Sequence, residues 1–324
     1  MTAFIGRRLF QAFCVALLVA FFAFAATEFV GDPLLLMLGS EATPAERAEM
    51  AAALGLDRPF LVRFADYLGG LVQGDFGVSY RTREPVLDMI LARLPASVEL
   101  SVTGILLALA IGLPVGMICG IFPNGWMSQA LMGLAVVGVS LPVFLIGIFL
   151  ILIFSVTLGW LPSFGRGTVT MVGGWPTGLL TADGLRAIVL PAVTLSLFLM
   201  TLIVRLVRGE MMEVMREDYI RFAIARGLPT WRVWLRHGMR NAMGPVVTVV
   251  GLQLGTVLVF AMITETVFSW PGIGQLMILS IGTADLPVIT TYLVLSGVLF
   301  VAMNLIVDIA YMFMDPRVRI GGAA

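Results

Sequence analysis

The chain contains 324 residues, of which 59% are hydrophobic and only 12% are charged, and its mean hydropathy is +1.01. Soluble domains carry about 25% charged residues, so this composition excludes an ordinary soluble protein and predicts that most of the chain lies in lipid. The formal net charge is zero, and the absence of a general basic field excludes nucleic acid as a partner.

The twenty basic residues are all arginine, and His237 is the only histidine. Without lysine, the chain has neither a phosphate-binding loop that ends in Gly-Lys-Ser/Thr nor a Schiff-base lysine. We therefore expect no nucleotide-binding site, no cofactor and no enzymatic activity in this chain. Cys14 and Cys119 lie in apolar stretches, where thiols act as small hydrophobic groups more often than as a disulfide or metal pair.

Six stretches of the sequence contain about the 20 apolar residues that a helix needs to cross a bilayer. They are residues 9–30, 98–122, 132–158, 187–207, 246–268 and 288–314. The sequence therefore predicts an all-α polytopic membrane protein with six transmembrane helices. The first stretch could instead be a cleaved signal peptide, because Arg7 and Arg8 precede it and Ala23-Phe24-Ala25 resembles a cleavage site. Its apolar run of about 18 residues is long for a signal peptide and favours a retained helix.

The placement of arginine predicts that both termini are cytoplasmic. In that orientation the short inner segments hold twelve of the twenty arginines, which is the positive-inside pattern. Residues 31–96 hold six more, but a segment of that length crosses the membrane largely regardless of its charge. The predicted organisation is a first helix within residues 1–30, an extracytoplasmic segment at 31–96, a five-helix core at 97–314 with a cytoplasmic loop at 208–245, and a cytoplasmic tail at 315–324.

One helix of the extracytoplasmic segment has both a start signal and an end signal. Thr43-Pro44-Ala45-Glu46 places a hydroxyl three residues before a carboxylate, a pattern that caps the start of a helix. Leu54-Gly55 is typical of a helix end, because glycine readily adopts the left-handed conformation there. We therefore expect a short helix between these two signals.

The cytoplasmic loop is predicted to form two amphipathic helices that meet at a turn. Gly227 ends the first helix, and Pro229 starts the second. The apolar residues of the first helix recur at three- and four-residue spacing: Met211, Met212, Met215, Tyr219, Phe222 and Ala223. Arg232, Arg236 and Arg240 share one face of the second, beside Trp231, Trp234 and Leu235. This pattern alone suits anionic lipid headgroups about as well as a protein partner.

The order of residues in this loop resembles the EAA loop of ABC importer permeases. The loop reads Asp-Tyr-Ile-Arg-Phe-Ala-Ile-Ala-Arg-Gly-Leu over 218–228 and continues with Arg236-His237, Asn241-Ala242 and Pro245. The family motif is Glu-Ala-Ala followed by Gly. Aligned on Gly227, the glutamate position holds Arg221, and the two alanine positions hold Phe222 and Ala223. This departure is similar to the variant of the peptide and nickel branch, where Ala-Arg-Ala-Lys-Gly-Leu is usual.

Other passages, spread over nearly the whole chain, are similar to the same branch. They are Gly-Asp-Phe-Gly-Val-Ser at 74–79, Leu-Gly-Trp-Leu-Pro at 158–162, Glu-Thr-Val-Phe at 265–268, Pro-Gly-Ile-Gly at 271–274 and Asp-Pro-Arg at 315–317. The resemblance implies the type I ABC importer permease fold. It also implies the B-type permease of a dipeptide or oligopeptide importer, with a nickel-chelate permease or another small-solute permease as the alternative.

The resemblance also implies partners and a site. The partners are a second homologous permease subunit, two ATP-binding cassette subunits that bind ATP and Mg, and an extracytoplasmic solute-binding protein; membrane lipid surrounds the chain in the inner membrane. In this family the loop sits in a groove of the ATPase. The residues implied for that coupling are Tyr219, Arg221, Ala223, Arg226, Gly227, Leu228, Arg236, His237 and Asn241.

Ionisable groups at membrane depth are further functional candidates, because each costs roughly 3 kcal/mol to place there. Glu265 lies near the outer end of the fifth predicted helix and Asp308 within the sixth. Arg205 and Asp308 lie close enough to the inner boundary to snorkel or form a pair there. We therefore assign Glu265 to the translocation path as a hypothesis and treat the other two as boundary residues.

Small residues and prolines within the predicted helices indicate packing and kinks. Pro114, Pro142 and Pro191 remove helical hydrogen bonds, and Ser140 precedes Pro142 by two residues. Ser140 and Pro142 are therefore assigned to the translocation path together with Glu265. Glycines at 104, 112 and 116 recur at four or eight residues, a spacing that suits close contact between helices.

Two other classes of protein remain as alternatives at this point. An intramembrane peptidase needs paired aspartates, a serine with histidine or lysine, or metal ligands at membrane depth. Asp308 has no second aspartate in an adjacent predicted helix, and His237 lies in the arginine-rich loop, so this class fits poorly. A proton-coupled secondary transporter is the other alternative, with Glu265 as the proton carrier.

Overall fold

The computed structural model describes residues 2–27, 34, 38, 42–53 and 55–314. The predicted tail at 315–324 lies outside the described residues, and so does the side chain of Asp308. The chain divides into two compact units. One comprises Met1–Pro95 and Pro271–Ala302, and the other comprises Ala96–Trp270 and Met303–Ala324.

Helices account for most of the described chain, which confirms the predicted helical class. They are α1 (Thr2–Thr27), α2 (Pro44–Ala53), α3 (Phe60–Gln73), α4 (Val86–Ile121), α5 (Trp126–Ser140), α6 (Val143–Leu150), α7 (Ala182–Val214), α8 (Asp218–Ala225), α9 (Thr230–Arg232), α10 (Arg240–Val267), α11 (Ile273–Gly282) and α12 (Leu286–Met314). Two π-helical segments, Ile151–Thr157 and Val233–Met239, continue α6 and α9. Strands β1 (Thr170–Val172) and β2 (Trp175–Thr177) form an antiparallel hairpin that the hydropathy pattern does not predict.

Four helices of the described part are long and apolar enough to cross a membrane by themselves. They cover Gly6–Ala26, Val86–Ile121, Ala182–Val214 and Leu286–Ile306. Several helices extend beyond the predicted apolar stretches, and α4 begins at Val86 rather than at residue 98. Hydropathy finds only the part of a helix that suits lipid, whereas the backbone hydrogen bonding continues through polar turns at either end.

The helix predicted in the extracytoplasmic segment is confirmed as α2. The Thr43 N–H donates to the Glu46 carboxylate at 2.8 Å, and the Glu46 N–H donates to the Thr43 hydroxyl at 3.3 Å. The hydrogen bond from the Thr43 N–H, and next the one that the Thr43 hydroxyl donates to the same carboxylate at 2.8 Å, hold the pKa of Glu46 below its ordinary value. Gly55 ends the helix with a φ of 65°. The capping box and the left-handed end are thus both local consequences of the sequence.

The first unit is held together by aromatic contacts and by one buried carboxylate. Phe24 of α1 stacks on Tyr67 of α3, with their ring centres 5.1 Å apart. In the Gly-Asp-Phe-Gly-Val-Ser passage, Ser79 is fully buried and its hydroxyl donates to Asp285. The backbone N–H of Tyr80 donates to the same carboxylate at 3.0 Å. Asp285 therefore fixes the loop that precedes α4, because a buried carboxylate is stable only when its oxygens are hydrogen-bonded.

Glycines of α4 face α7 in the second unit and confirm the predicted close contact. A methyl group at Gly112 would lie 2.9 Å from Cγ2 of Ile203, and one at Gly116 would lie 2.7 Å from Cβ of Val207. Gly120 continues the same line one turn further along. No larger residue fits at these positions unless the helices separate, and this close approach is the way that membrane helices gain packing energy.

The predicted third helix is interrupted at Leu141 and Pro142, between α5 and α6. Pro142 therefore breaks the helix as expected, since it provides no N–H for the ladder. The other two prolines do not end a helix, because α4 runs through Pro114 and α7 runs through Pro191; each still removes one backbone hydrogen bond, since proline has no N–H. Only Pro142 therefore marks a break in the backbone among these three.

We expect Gly116→Val to destabilise the protein by roughly 1–3 kcal/mol, because the added side chain overlaps Val207 and pushes α4 away from α7. Gly133→Val is the matched control, since a methyl group there meets nothing within 4 Å. Thermal unfolding of the detergent-solubilised protein measures the difference. Equal melting temperatures for the two variants would contradict the close contact.

Candidate functional site

The loop at 208–245 begins as a direct continuation of α7. The N–H of Met215 donates to the carbonyl of Met211 at 2.9 Å, and α8 starts three residues later at Asp218. Ile220, Ala223 and Val233 are buried against each other. This small apolar cluster joins α8 to the segment that follows it, so the loop is a packed helical hairpin rather than an open connection.

Met211 of α7 packs between α4 and the second arm of this hairpin. A methyl group at Gly120 of α4 would lie 2.5 Å from Cβ of Met211, and one at Gly238 would lie 3.1 Å from its Cε. Both glycines are therefore needed to admit the methionine, which is fully buried. The hairpin thus rests on the contact between α4 and α7.

Gly227 forms the turn between the two helical arms, as predicted. Its φ is +74°, which lies in the left-handed region, and its N–H donates to the carbonyl of Ile224 at 2.9 Å. The N–H of Leu228 then donates to the carbonyl of Ala223 at 3.3 Å. Glycine adopts this conformation without strain, whereas a β-branched residue does not.

The second arm of the hairpin differs from its prediction in two respects. Pro229 has a φ of −63° and a ψ of 138°, so it precedes the helix and does not occupy its first turn. The arm then runs from α9 through the π-helical segment into α10. It is therefore one end of a long helix rather than a separate short one, and a displacement of the hairpin acts directly on α10.

The buried face of α8 is also different from the predicted one. Tyr219 and Phe222 were expected on the apolar face, but both are exposed, and Phe222 exposes 63% of its surface. Ile220 replaces them in the interior. Five large apolar or aromatic residues and one arginine are exposed along the hairpin: Tyr219, Phe222, Ile224, Arg226, Trp231 and Leu235. The hairpin therefore presents an apolar and basic surface outward.

Two arginines lie over aromatic rings of this surface. The guanidinium of Arg226 is 5.6 Å from the ring centre of Phe222, and that of Arg232 is 5.3 Å from the ring centre of Trp231. Such cation–π pairs restrict the side chains that a partner would meet. Arg221, in the position of the family's glutamate, instead pairs with Asp218 at 3.5 Å on the exposed side of α8.

The remaining loop residues tie the two arms together. The amide of Asn241 donates to the Tyr219 hydroxyl and to the carbonyl of His237, both at 2.9 Å. Trp234 contacts Phe122 edge to face, with ring centres 5.7 Å apart. Arg236 is exposed. The structure thus brings all nine predicted coupling residues into one hairpin, although their contact with an ATPase stays a prediction.

The three residues assigned to the translocation path lie in different surroundings. Ser140 and Pro142 are exposed at the break between α5 and α6. Glu265 is 1% exposed, and the Ser97 hydroxyl donates to its carboxylate at 2.6 Å. Arg205, assigned to the boundary, is exposed on α7. The role of these residues in transport stays a prediction.

Sequence reasoning missed a buried ion pair between Glu99 and Arg166. Their side chains are only 2% and 8% exposed. The same guanidinium donates to the carbonyl of Pro176 at 2.8 Å, and the N–H of Gly178 donates to the Glu99 carboxylate at 3.2 Å. In the sequence, each of the two residues stands out only as an isolated charge. Glu99 lies at the start of an apolar stretch, and Arg166 lies in a loop that is otherwise uncharged.

Long apolar helices with an exposed helical hairpin between two of them suit a transport permease, and comparison with known families gives that class. A profile of the family described as "Binding-protein-dependent transport system inner membrane component" matches residues 112–320, and the profile of its N-terminal part matches residues 1–101. The chain therefore belongs to the family of binding-protein-dependent transport system inner membrane components. It is accordingly a multi-pass protein of the inner membrane.

Similar proteins match the chain from end to end. The di/tripeptide transport system permease protein DppB of Pseudomonas aeruginosa (strain UCBPP-PA14) is 39% identical over 333 residues, which cover 98% of this chain and 99% of that protein. The dipeptide transport system permease protein DppB of Escherichia coli (strain K12) is 37% identical, with coverage of 98% and 99%. The glutathione transport system permease protein GsiC of Shigella flexneri serotype 5b (strain 8401) is 38% identical, with 89% of each chain covered.

The fold is also similar to a solved structure. The MetNI methionine ABC transporter, in an inward-facing conformation, superposes with a TM-score of 0.56 at 18% sequence identity. The match covers 71% of this chain and 97% of that one. This likeness confirms the predicted type I ABC importer permease fold.

We expect Glu99→Gln to lower the free energy of unfolding by about 3 kcal/mol or more, because it leaves the buried Arg166 guanidinium without its counter-charge. The double variant Glu99→Leu with Arg166→Met removes both charges and should cost less than the single change. Thermal unfolding in detergent measures both. A single variant as stable as the parent protein would show that the pair is not a buried anchor.

Proposed function

We propose that this chain is the permease subunit of an ATP-driven importer of di- or oligopeptides, and that the hairpin around Gly227 transmits movement from a partner ATPase. The observation that carries the proposal is the hairpin itself: a rigid turn, a packed interior and an exposed surface of aromatic residues and arginines. Exposed surfaces of this composition are typical of protein interfaces, where tyrosine, tryptophan and arginine dominate the binding energy.

The connections of the hairpin explain how it transmits force. Its first arm continues from α7 and its second arm continues into α10, without a flexible linker on either side. α7 and α10 share one buried core, which includes Leu199, Ile203, Ala242 and Val246. A push on the hairpin therefore moves two packed helices together, and a packed core responds by moving as a body rather than by deforming.

The proposed partners supply the functions that this chain lacks. ATP and Mg belong to two ATP-binding cassette subunits, because this chain supplies no lysine for a phosphate-binding loop. A second homologous permease completes the translocation path, and an extracytoplasmic solute-binding protein delivers the solute. The arginine distribution supports cytoplasmic termini, which place the hairpin on the same side as the ATPases.

The peptide substrate is supported by the relatives. Two of the similar permeases are named for dipeptides or for di- and tripeptides, and both align over 98% of this chain. The nickel-chelate alternative has no counterpart among these names. Uptake that is independent of ATP and follows the proton gradient would instead favour a secondary transporter.

Gly227→Val should uncouple ATP hydrolysis from uptake. The left-handed conformation costs an ordinary residue roughly 1–2 kcal/mol, and valine suits it less than most, so the hairpin should rearrange. We expect peptide uptake per ATP hydrolysed, measured in proteoliposomes that contain the complete transporter, to fall sharply.

Gly227→Asn is the matched control for this change, because asparagine tolerates the left-handed region. It should retain coupling close to that of the parent protein. Normal uptake in the valine variant would contradict the role of the turn. An equal loss of uptake in both variants would mean that any side chain at position 227 is harmful, whatever its backbone conformation.

Phe222→Ser should weaken assembly with the ATPase subunits by about tenfold or more, because it removes the most exposed aromatic ring of α8. Trp126→Ser is the control, since Trp126 is an exposed aromatic residue at the start of α5, on the same predicted side of the membrane. Co-purification of tagged permease with the ATPase subunits measures the effect. Equal recovery with both variants would exclude Phe222 as an anchor.

A further inference from the structure

The loop at 158–181, between the π-helical segment Ile151–Thr157 and α7, has an unusual charge content. It contains 24 residues, and Arg166 is its only charged residue. The extracytoplasmic segment at 31–96, by contrast, holds six arginines and many acidic residues. Loops that face water normally carry charges, so the two segments suit different surroundings.

The single charge of this loop does not reach its surface. Arg166 is buried and paired with Glu99, which is buried as well. The guanidinium also donates to the carbonyl of Pro176 in β2. Arg166 therefore connects β2 to Glu99 of α4. With this pair neutralised internally, the exposed side chains of the loop itself carry no formal charge; the exposed Asp183 at the start of α7 accepts a hydrogen bond from the Thr168 hydroxyl at 3.1 Å.

The outer side of the loop presents large apolar side chains instead. Met171 exposes 67% of its surface and Leu180 exposes 70%. The other prominent members are Trp160, Phe164, Val172 and Trp175. An exposed apolar surface of this extent indicates an interaction with lipid or with protein.

Several hydrogen bonds hold the backbone of the loop in place. β1 pairs with β2 from Thr170 opposite Thr177 to Val172 opposite Trp175. The Thr181 hydroxyl donates to the carbonyl of Thr168 at 2.7 Å, and the N–H of Gly165 donates to the carbonyl of Phe268 at 2.9 Å. These hydrogen bonds lower the cost of placing the hairpin among lipid headgroups, where water remains available to the outward-facing N–H and C=O groups of its two edge strands.

The apolar surface of the loop is continuous with that of the helix that precedes it. Leu152, Ile153 and Val156 are exposed on the π-helical segment, and Leu158 and Trp160 extend the same surface into the loop. The helical stretch Val143–Thr157 is apolar and belongs to the third membrane helix that the sequence predicts, so we infer that the loop begins at the boundary between hydrocarbon and headgroups. Tryptophan is enriched at that boundary, where its ring is apolar and its N–H remains hydrated.

We propose that the hairpin of the 158–181 loop lies in the membrane interface, with Met171, Val172 and Trp175 among the lipid headgroups and the adjoining acyl chains. The Glu99–Arg166 pair makes this possible, because it removes the only charge from the part of the loop that meets lipid. The inference depends on the location of the chain in a membrane and does not depend on its substrate or its ATPase.

A fluorescent label on the hairpin tests this position. Cys14 and Cys119 are replaced by alanine, Met171→Cys is labelled with an environment-sensitive fluorophore, and the full chain is reconstituted in phospholipid nanodiscs. Asp66→Cys is the matched control, because Asp66 is similarly exposed but lies in the charged extracytoplasmic segment. Each label is quenched in turn by brominated phospholipid and by aqueous iodide.

The brominated lipid should reduce the emission of the label at 171 and leave that at 66 nearly unchanged, while iodide should do the reverse. Val172→Cys provides a second label on the hairpin and should behave like Met171→Cys; gel filtration checks that each variant is folded. Equal iodide quenching at 171 and 66 would overturn the proposal. Shielding of 171 from both quenchers, or protection from iodide only when a solute-binding protein is added, would overturn it in favour of a protein partner.

Discussion

The close approach of α4 and α7 is the contact on which the functional hairpin depends. In lipid, the hydrophobic effect does not drive helices to associate, because the lipid tails are themselves apolar. Helices are held together by van der Waals contacts at short distance, and glycine allows two helix backbones to approach that closely. Gly112, Gly116 and Gly120 bring α4 onto the surface of α7. The last of these admits Met211, which also supports Gly238 in the second arm of the hairpin. The packing between these two helices therefore sets the position of the exposed hairpin.

Two buried carboxylates perform a second task, since Asp285, just before α12, and Glu99, within α4, each hold a loop in place. Asp285 accepts hydrogen bonds from Ser79 and from the backbone of Tyr80, and Glu99 accepts them from Arg166 and from the backbone of Gly178. An ionised carboxylate tolerates burial only when several donors surround it, so these contacts are specific in geometry as well as strong. The two loops are thereby held in place by hydrogen bonds to a buried carboxylate.

The sequence predicted the features that depend on neighbouring residues. The capping pair Thr43 and Glu46 and the left-handed turn at Gly227 are local, and both are present as expected. Glu99 and Arg166 are 67 residues apart, so no local pattern connects them, and the pair was missed. The short helix α11 was missed because its ten residues are too few for a membrane span. Phe222 was misplaced because helical spacing alone does not show which side of a short helix meets the protein.

We propose that the hairpin around Gly227 contacts an ATP-binding cassette subunit, and cross-linking from the hairpin tests this contact. Ile224 is exposed on α8 and lies beside the turn, so a photoreactive amino acid at this position samples what the hairpin touches. The complete transporter is irradiated in its membrane, and the cross-linked products are identified by mass spectrometry. We expect an adduct with the ATPase subunit whose yield changes when ATP is added. Adducts confined to lipid or to the second permease would contradict it.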